Sequence, residues 1–278
     1  MLGGSVVDDL VASRLGGPDD AVVSVWLGPP GGAPVLSRRA DAVHYAASTM
    51  KLPLVIAAYR RHERGELDLD QPVPVHNEFS SAYDGSRFSL DQDDDQDDET
   101  WDRIGETATL RVLAHHAIVK SGNLATDLVL EHVGTQEVAA VLLDAGCSPV
   151  TKVPRGIEDA PAREAGMDNL VTAGDLALVM GAVAARTIAS PTSCREIEGV
   201  LAAQEHRDQV PAGLPVGTYV ANKTGWVDGV AHDVALVRPE TGAEFVLVVC
   251  TSADASEEKL YALNAAVAGA CWEEWRSR

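Results

Sequence analysis

The arrangement that most constrains this chain is strand-forming sequence at both ends and a long helical stretch between. Near the start, Ala21-Val22-Val23-Ser24-Val25-Trp26-Leu27 is rich in β-branched residues and reads as a strand. Pro29-Pro30-Gly31-Gly32 then turns the chain into a second strand, near 33–39. At the far end 218–224, 230–237 and 244–251 read as three more strands, the last two joined across Pro239-Glu240-Thr241-Gly242. Between them, 48–64, 110–119, 123–133, 135–145, 172–186 and 193–204 repeat Ala, Leu and Val at helical spacing. Further helices are expected at 5–15 and 257–275. Strands remote in sequence must meet to bury their faces. The pattern therefore predicts an α/β (α+β) protein with one antiparallel sheet from both chain ends, flanked by helices, and an inserted all-helical part. The expected division is a sheet domain from 1–45 and 207–278 and a helical domain from 46–206.

Composition narrows the function. Apolar residues make up 46% of the 278, enough for a sizeable core, while 42 acidic against 22 basic residues give a net charge of −20. That balance disfavours nucleic acid and anionic membrane surfaces, which are bound through Lys and Arg. No apolar stretch approaches the roughly 20 residues of a membrane span. The start, Met1-Leu2-Gly3-Gly4-Ser5-Val6-Val7-Asp8-Asp9, shows neither a basic nor an apolar leader segment. A cytoplasmic location is expected, or secretion if a leader has been removed. Cys147, Cys194, Cys250 and Cys271 are widely spaced with no zinc-binding pattern, and read as reduced, buried thiols. No metal or cofactor is expected.

Three short patterns carry chemistry. Ser48-Thr49-Met50-Lys51 opens a helix, so Ser48 and Lys51 lie one turn apart on one face. A nucleophilic serine needs a proton acceptor and donors for the developing oxyanion. A desolvated lysine and a helix N-terminus provide these. Ser121-Gly122-Asn123, at a helix–helix junction, places a hydroxyl and an amide together, and Lys223-Thr224-Gly225 lies on a strand. Each is weak alone, but the three in this order are specific.

On these motifs the chain resembles the serine β-lactamase and penicillin-binding protein superfamily, and most closely its class A branch. The resemblance spans nearly the whole chain and implies a site in the cleft between the sheet and the helical insert, with an Ω-like loop at about 150–171. It implies Ser48 as the acylated nucleophile, Lys51 as its proton partner and Ser121 as the relay to the leaving group. Asn123 would bind the substrate amide. Lys223 and Thr224 would hold a substrate carboxylate, with Gly225 and Trp226 beside them. Backbone N–H groups of Ser48 and Trp226 would form the oxyanion hole. The expected function is that of a β-lactamase-like serine hydrolase forming an acyl-serine with a small-molecule amide, lactam or ester. The alternatives are a catalytically idle binding protein and a D,D-peptidase-type penicillin-binding protein.

The departures from that pattern are specific. Gly122 stands where the family usually has Asp, removing a carboxylate that stiffens the loop. The Ω-loop glutamate normally follows its arginine by two residues, but here Arg155-Gly156-Ile157-Glu158 places it at three. Pro161 stands near where an asparagine is usual. Glu158 is the candidate base for deacylation, and its shift implies slow release of the acyl group. Trp226 replaces a small residue, and Val230-Ala231-His232-Asp233 lacks the arginine that reinforces carboxylate binding.

The remaining polar clusters read as structural. His115 and His116 point about 100° apart on a helix, so at most one can face a site. His232 and Asp233 face opposite sides of a strand. In the acidic run 91–99, Asp91, Asp93, Asp95 and Asp97 have the alternation of a calcium loop, but Gln96 stands where that loop needs glycine. The run is expected to be a mobile, solvated flap that binds no metal.

Overall fold

The computed structural model describes residues 4–15 and 21–278. Along the chain, α1 (Gly4–Leu15) precedes β1 (Val22–Gly28), β2 (Leu36–Arg38) and β3 (Val43–Tyr45), and a tight turn (Ala47–Met50) winds directly into α2 (Lys51–Glu63). There follow β4 (Pro72–Pro74), β5 (Phe79–Ser80), β6 (Arg87–Phe88), α3 (Asp98–Trp101), β7 (Thr107–Thr109), α4 (Leu110–Val119), α5 (Asn123–Val133) and α6 (Thr135–Asp144). Next are α7 (Ala160–Glu164), β8 (Leu170–Thr172), α8 (Ala173–Ala184) and α9 (Pro191–Ala202). The chain closes with β9 (Tyr219–Val227), β10 (Val230–Arg238), β11 (Phe245–Ser252) and α10 (Glu257–Arg276).

The expected sheet from both termini is present, antiparallel, in the order β2-β1-β11-β10-β9. Val25 lies opposite Val249, which lies opposite Asp233, which lies opposite Thr224. Side chains alternate faces along each strand. Val23, Val25, Leu27, Ala235, Val237, Leu247 and Val249 pack with α1 and α10, while Trp26, Ala221, Val234, Leu236, Val246 and Val248 join the core of the helical part. The same alternation sends Lys223 towards the helices and Thr224 and Trp226 towards α10. β9 is the edge strand, and its open side meets the 47–50 turn.

In the middle of the helical part, α2 is buried from Lys51 to Tyr59. Pro53 sits in its first turn, where an absent N–H breaks no helical bond. The helices follow the apolar spacing closely. The short ribbons β3–β8, β4–β7 and β5–β6 were not expected, because strands of two or three residues carry too little periodicity to read. The four cysteines are free thiols, with Cys194, Cys250 and Cys271 buried and Cys147 partly so. Among the described residues no helix is long and apolar enough to cross a membrane.

His44 links the sheet to β3. Its Nε2 lies 2.9 Å from Ser24 Oγ, its Nδ1 2.8 Å from Ser252 Oγ, and its ring meets His232 edge-on at 5.2 Å. Burial, and then the neighbouring His232, lowers its pKa from 6.5 to about 3. Between those values the unfolded chain binds a proton that the folded chain does not. Stability should therefore fall as pH falls through this window, by up to about 1.4 kcal/mol per unit. Urea unfolding at successive pH values should show this slope, flattened in His44→Gln; an unchanged slope in the variant would contradict it.

Candidate active site

Ser48 lies in the 47–50 turn, one helical turn before Lys51. Five non-glycine residues among those described have positive φ, and three of them surround this place: Ala47 (44°), Ser121 (59°) and Glu158 (56°). Each such conformation costs about 1–3 kcal/mol, and strain of this kind gathers at functional sites.

Two buried lysines converge on Ser121. Lys51 Nζ donates to the Ser121 carbonyl at 2.6 Å and to Asn123 Oδ1 at 2.8 Å, with Ser121 Oγ at 3.5 Å. Lys223 Nζ donates to Ser121 Oγ at 2.9 Å and to the Thr224 carbonyl at 2.8 Å. Both lysines have 0% exposure. Burial lowers the Lys51 pKa to about 8, against the opposing pull of Asp95, Asp127, Asp97 and Glu158. Burial, and then the charge of Lys51, pushes Lys223 well below the usual ammonium range. An amine so placed can give up and take a proton near neutral pH.

Gly225 is where β9 crosses the serine turn. A Cβ there would lie 2.9 Å from Ser48 N and 2.8 Å from Thr49 N, so a side chain would push the edge strand off the turn. Over these groups opens a cleft of about 650 Å³, lined by Ser48, Ser121, Asn123, Ile157, Glu158 and Trp226 among others. Of the nine candidate residues, five line this cleft (Ser48, Ser121, Asn123, Glu158 and Trp226), Lys51 and Lys223 lie buried beside it through Ser121, Gly225 abuts Ser48, and Thr224 lines an adjoining cavity. The Trp226 ring also lies 4.7 Å from that of His206.

In the acidic run, Asp95 and Asp97 correct the expectation of a solvated flap, while the other seven residues of 91–99 are exposed. Asp95 is buried, and its two oxygens accept from Asn123 N and Leu124 N, each at 2.8 Å, and from Trp101 Nε1 at 2.8 Å. α5 begins after Gly122, which has no side chain to cap it, and Asp95 takes that part from a distance. Asp97 is fully buried, bonded to the Thr100 hydroxyl and to His116 Nδ1 at 3.0 Å. It packs against Gly122 so closely that a Cβ there would lie 2.8 Å from its carboxylate. The physical reason for Asp95 is the helix terminus, whose unpaired N–H groups and dipole offset the desolvation of a carboxylate, and for Asp97 it is the bonds to Thr100 and His116. The carboxylate missing from position 122 is thus matched by one from residue 97. His116 also accepts from Gly122 N through its carbonyl, at 3.2 Å.

The 150–171 segment is fixed by two buried polar side chains, Arg155 and Asp127. Arg155 donates from Nε to the Met167 carbonyl at 2.9 Å, from Nη1 to the Gly156 carbonyl at 2.9 Å, and from Nη2 to Tyr45 Oη at 3.2 Å. Asp127 Oδ1 accepts from Ile157 N at 2.8 Å, and burial pushes its pKa well above the carboxylate range. Ile157 thus holds the place two residues after Arg155. Glu158 follows it into the cleft wall, where its Oε2 accepts from Asp91 N at 2.8 Å and burial raises its pKa. Sequence reading missed Asp95, His116 and Asp127. Asp127 alone had a signal, standing one helical turn after Asn123 on the same face. His232 and Asp233 are structural as expected: His232 Nε2 meets the Tyr45 carbonyl at 2.9 Å, and Asp233 accepts from Asn222 Nδ2 and Val210 N, each at 3.0 Å.

The fold and the order of its motifs define a protein of the β-lactamase and penicillin-binding protein superfamily. The model of the β-lactamase enzyme family matches residues 10–275, and the chain belongs to that family. It is similar in structure to a β-lactamase from Sphaerobacter thermophilus, with 23% identity over 100% of this chain and 99% of that one and a TM-score of 0.79. It is also similar to a leucine-to-glutamate variant of PBP-A in an acyl-enzyme complex with penicillin G (18% identity, 99% and 97% covered, TM-score 0.78). A variant of the last-common-ancestor class A β-lactamase of Gram-negative bacteria gives 22% identity, 97% of each chain and a TM-score of 0.80. At these identities the likeness establishes the fold. No curated protein matches the chain in sequence.

The Asp95 cap makes a direct prediction. Asp95→Ala should cost about 1–2 kcal/mol of stability, the usual effect of losing an N-cap, with partial rescue by Asp95→Asn. Removing its negative charge should also lower the Lys51 pKa below about 8, read by NMR titration of Nζ. An unmoved pKa would show that Asp95 is a cap and nothing more.

Proposed function

We propose that this protein is a serine hydrolase that forms a covalent acyl-Ser48 intermediate with a small amide, lactam or ester. The observation that supports it most is the buried Lys51 amine one turn from Ser48, with its pKa lowered to about 8 and its donors fixed on the Ser121 carbonyl and Asn123 Oδ1. In this reading Ser48 Oγ attacks the carbonyl carbon and its proton passes to neutral Lys51. The oxyanion is held by N–H groups of Ser48 and Trp226 at the edge of β9. Ser121 Oγ, held by Lys223 Nζ, then protonates the leaving nitrogen or oxygen as the bond to the acyl carbon breaks. Asn123 orients the substrate amide.

Release of the acyl group needs a water and a base. Ile157 occupies the place two residues after Arg155, and the Glu158 carboxylate accepts from Asp91 N at the cleft wall. Deacylation is therefore the slow step, and the acyl-enzyme accumulates. The same displacement of Glu158 favours the second reading, a binding protein without turnover. The hydrolase reading is preferred because a pure binder has no use for a buried, readily deprotonated amine beside a serine.

The base role of Lys51 is tested by the pH dependence of acylation. With a penicillin or a nitrophenyl ester, the acylation rate should rise with pH as Lys51 loses its proton near pH 8, then level off. Lys51→Ala should lower it by ~10²–10⁴-fold in a protein that still unfolds cooperatively. A flat pH profile, or an unchanged rate in the variant, would overturn the assignment.

A further inference from the structure

Beyond Trp226 the cleft adjoins a second cavity of about 250 Å³. The two share Gln96 and Trp226, and the second is otherwise walled by Thr224, Asp208, Glu257 and Tyr261 among others. Strand alternation accounts for the position, since Thr224 and Trp226 leave β9 on the face towards α10, where Glu257 and Tyr261 stand.

Three features of this cavity point to one ligand chemistry. Its aromatic wall is a corner: the Trp226 ring lies 4.7 Å from His206, and the Tyr261 ring stands 6.5 Å away, nearly perpendicular at 88°. Aromatic faces arranged in this way attract organic cations. Its charged walls are the carboxylates of Asp208 and Glu257, and no Arg or Lys side chain lines it among the described residues. Its floor holds Thr224, 1% exposed, whose hydroxyl has no hydrogen-bond partner within the protein. A substrate carboxylate, which the family resemblance implies here, would meet two like charges. Lys223 offers it little, with donors already committed to Ser121 Oγ and the Thr224 carbonyl. The main cleft is acidic on balance, with Asp93, Asp94, Asp228 and Glu158 on its walls against Arg155 and Arg163.

We propose that this cavity is a specificity subsite for a cationic group of the acyl substrate, an alkylammonium seated in the Trp226–Tyr261 corner between Asp208 and Glu257 and donating to Thr224 Oγ1. The proposal rests on Ser48 being the nucleophile and names the substrate class of that site. The net charge of −20 adds long-range attraction for such a substrate.

Three nitrophenyl esters of equal chain length, ending in an ammonium, a methyl or a carboxylate group, test it. Nitrophenolate release gives each acylation rate, and peptide mass mapping places the adduct. The ammonium ester should acylate Ser48 about ten-fold or more faster than the methyl ester, and the carboxylate ester more slowly than either. Added salt should shrink the preference. The ammonium-to-methyl ratio should fall towards one in the Asp208→Asn, Glu257→Gln double variant. Ser48 adducts formed from all three esters at equal rates, or fastest from the carboxylate ester, would overturn the subsite and leave the hydrolase standing. No Ser48 adduct from any of the three would overturn both.

Discussion

Two lysine side chains with no access to solvent meet on one residue, Ser121, and much of the surrounding structure is arranged to make that meeting tolerable. An unpaired buried ammonium is expensive, and two within reach of a single hydroxyl repel each other. The chain answers in two ways. Burial lowers both pKa values, so that each lysine can be held neutral at modest cost. The carboxylates of Asp95 and Asp97 oppose this for Lys51 and steady the form that remains charged. The positive φ of Ser121 belongs to the same solution, since it turns the carbonyl and the hydroxyl of one residue onto the two amines. The acidity of the whole chain, which at first limits only what it can bind, has a local expression here.

The fold was legible because it rests on long periodic segments. The sheet strands alternate cleanly between two cores, and α5 and α4 begin and end where apolar spacing says they should. The three motifs were legible because their residues are close in sequence. What could not be read was contact over long separations. Asp95 caps a helix that starts at Asn123, and Asp97 fills the space left by Gly122. In the sequence those aspartates are members of a repetitive acidic run, and nothing local distinguishes the two that become buried from the neighbours that stay solvated. Asp127 and Ile157 meet only because the 150–171 loop folds back on α5.

These contacts change the meaning of the departures from the family pattern. A glycine in the second motif, read alone, suggests a loosened loop. In the fold it is the residue that admits Asp97, and the loop is held by Asp97, Asp95 and the His116 carbonyl instead. The shift of Glu158 has no comparable repair. Its carboxylate is engaged by Asp91 N, and Asp127 fixes the backbone of Ile157 at the place two residues beyond Arg155. On the proposed reading, the groups that would acylate are all present at the cleft, while the carboxylate that would activate water is displaced.

That asymmetry is open to one direct measurement. Intact-protein mass spectrometry during reaction with a penicillin or a reactive ester, followed by peptide mapping, reports both the adduct and its lifetime. The account predicts one acyl group per chain, on Ser48, that forms quickly, persists through steady state and is absent in Ser48→Ala. An adduct on Ser121, or rapid turnover with no acyl-enzyme accumulating, would contradict it.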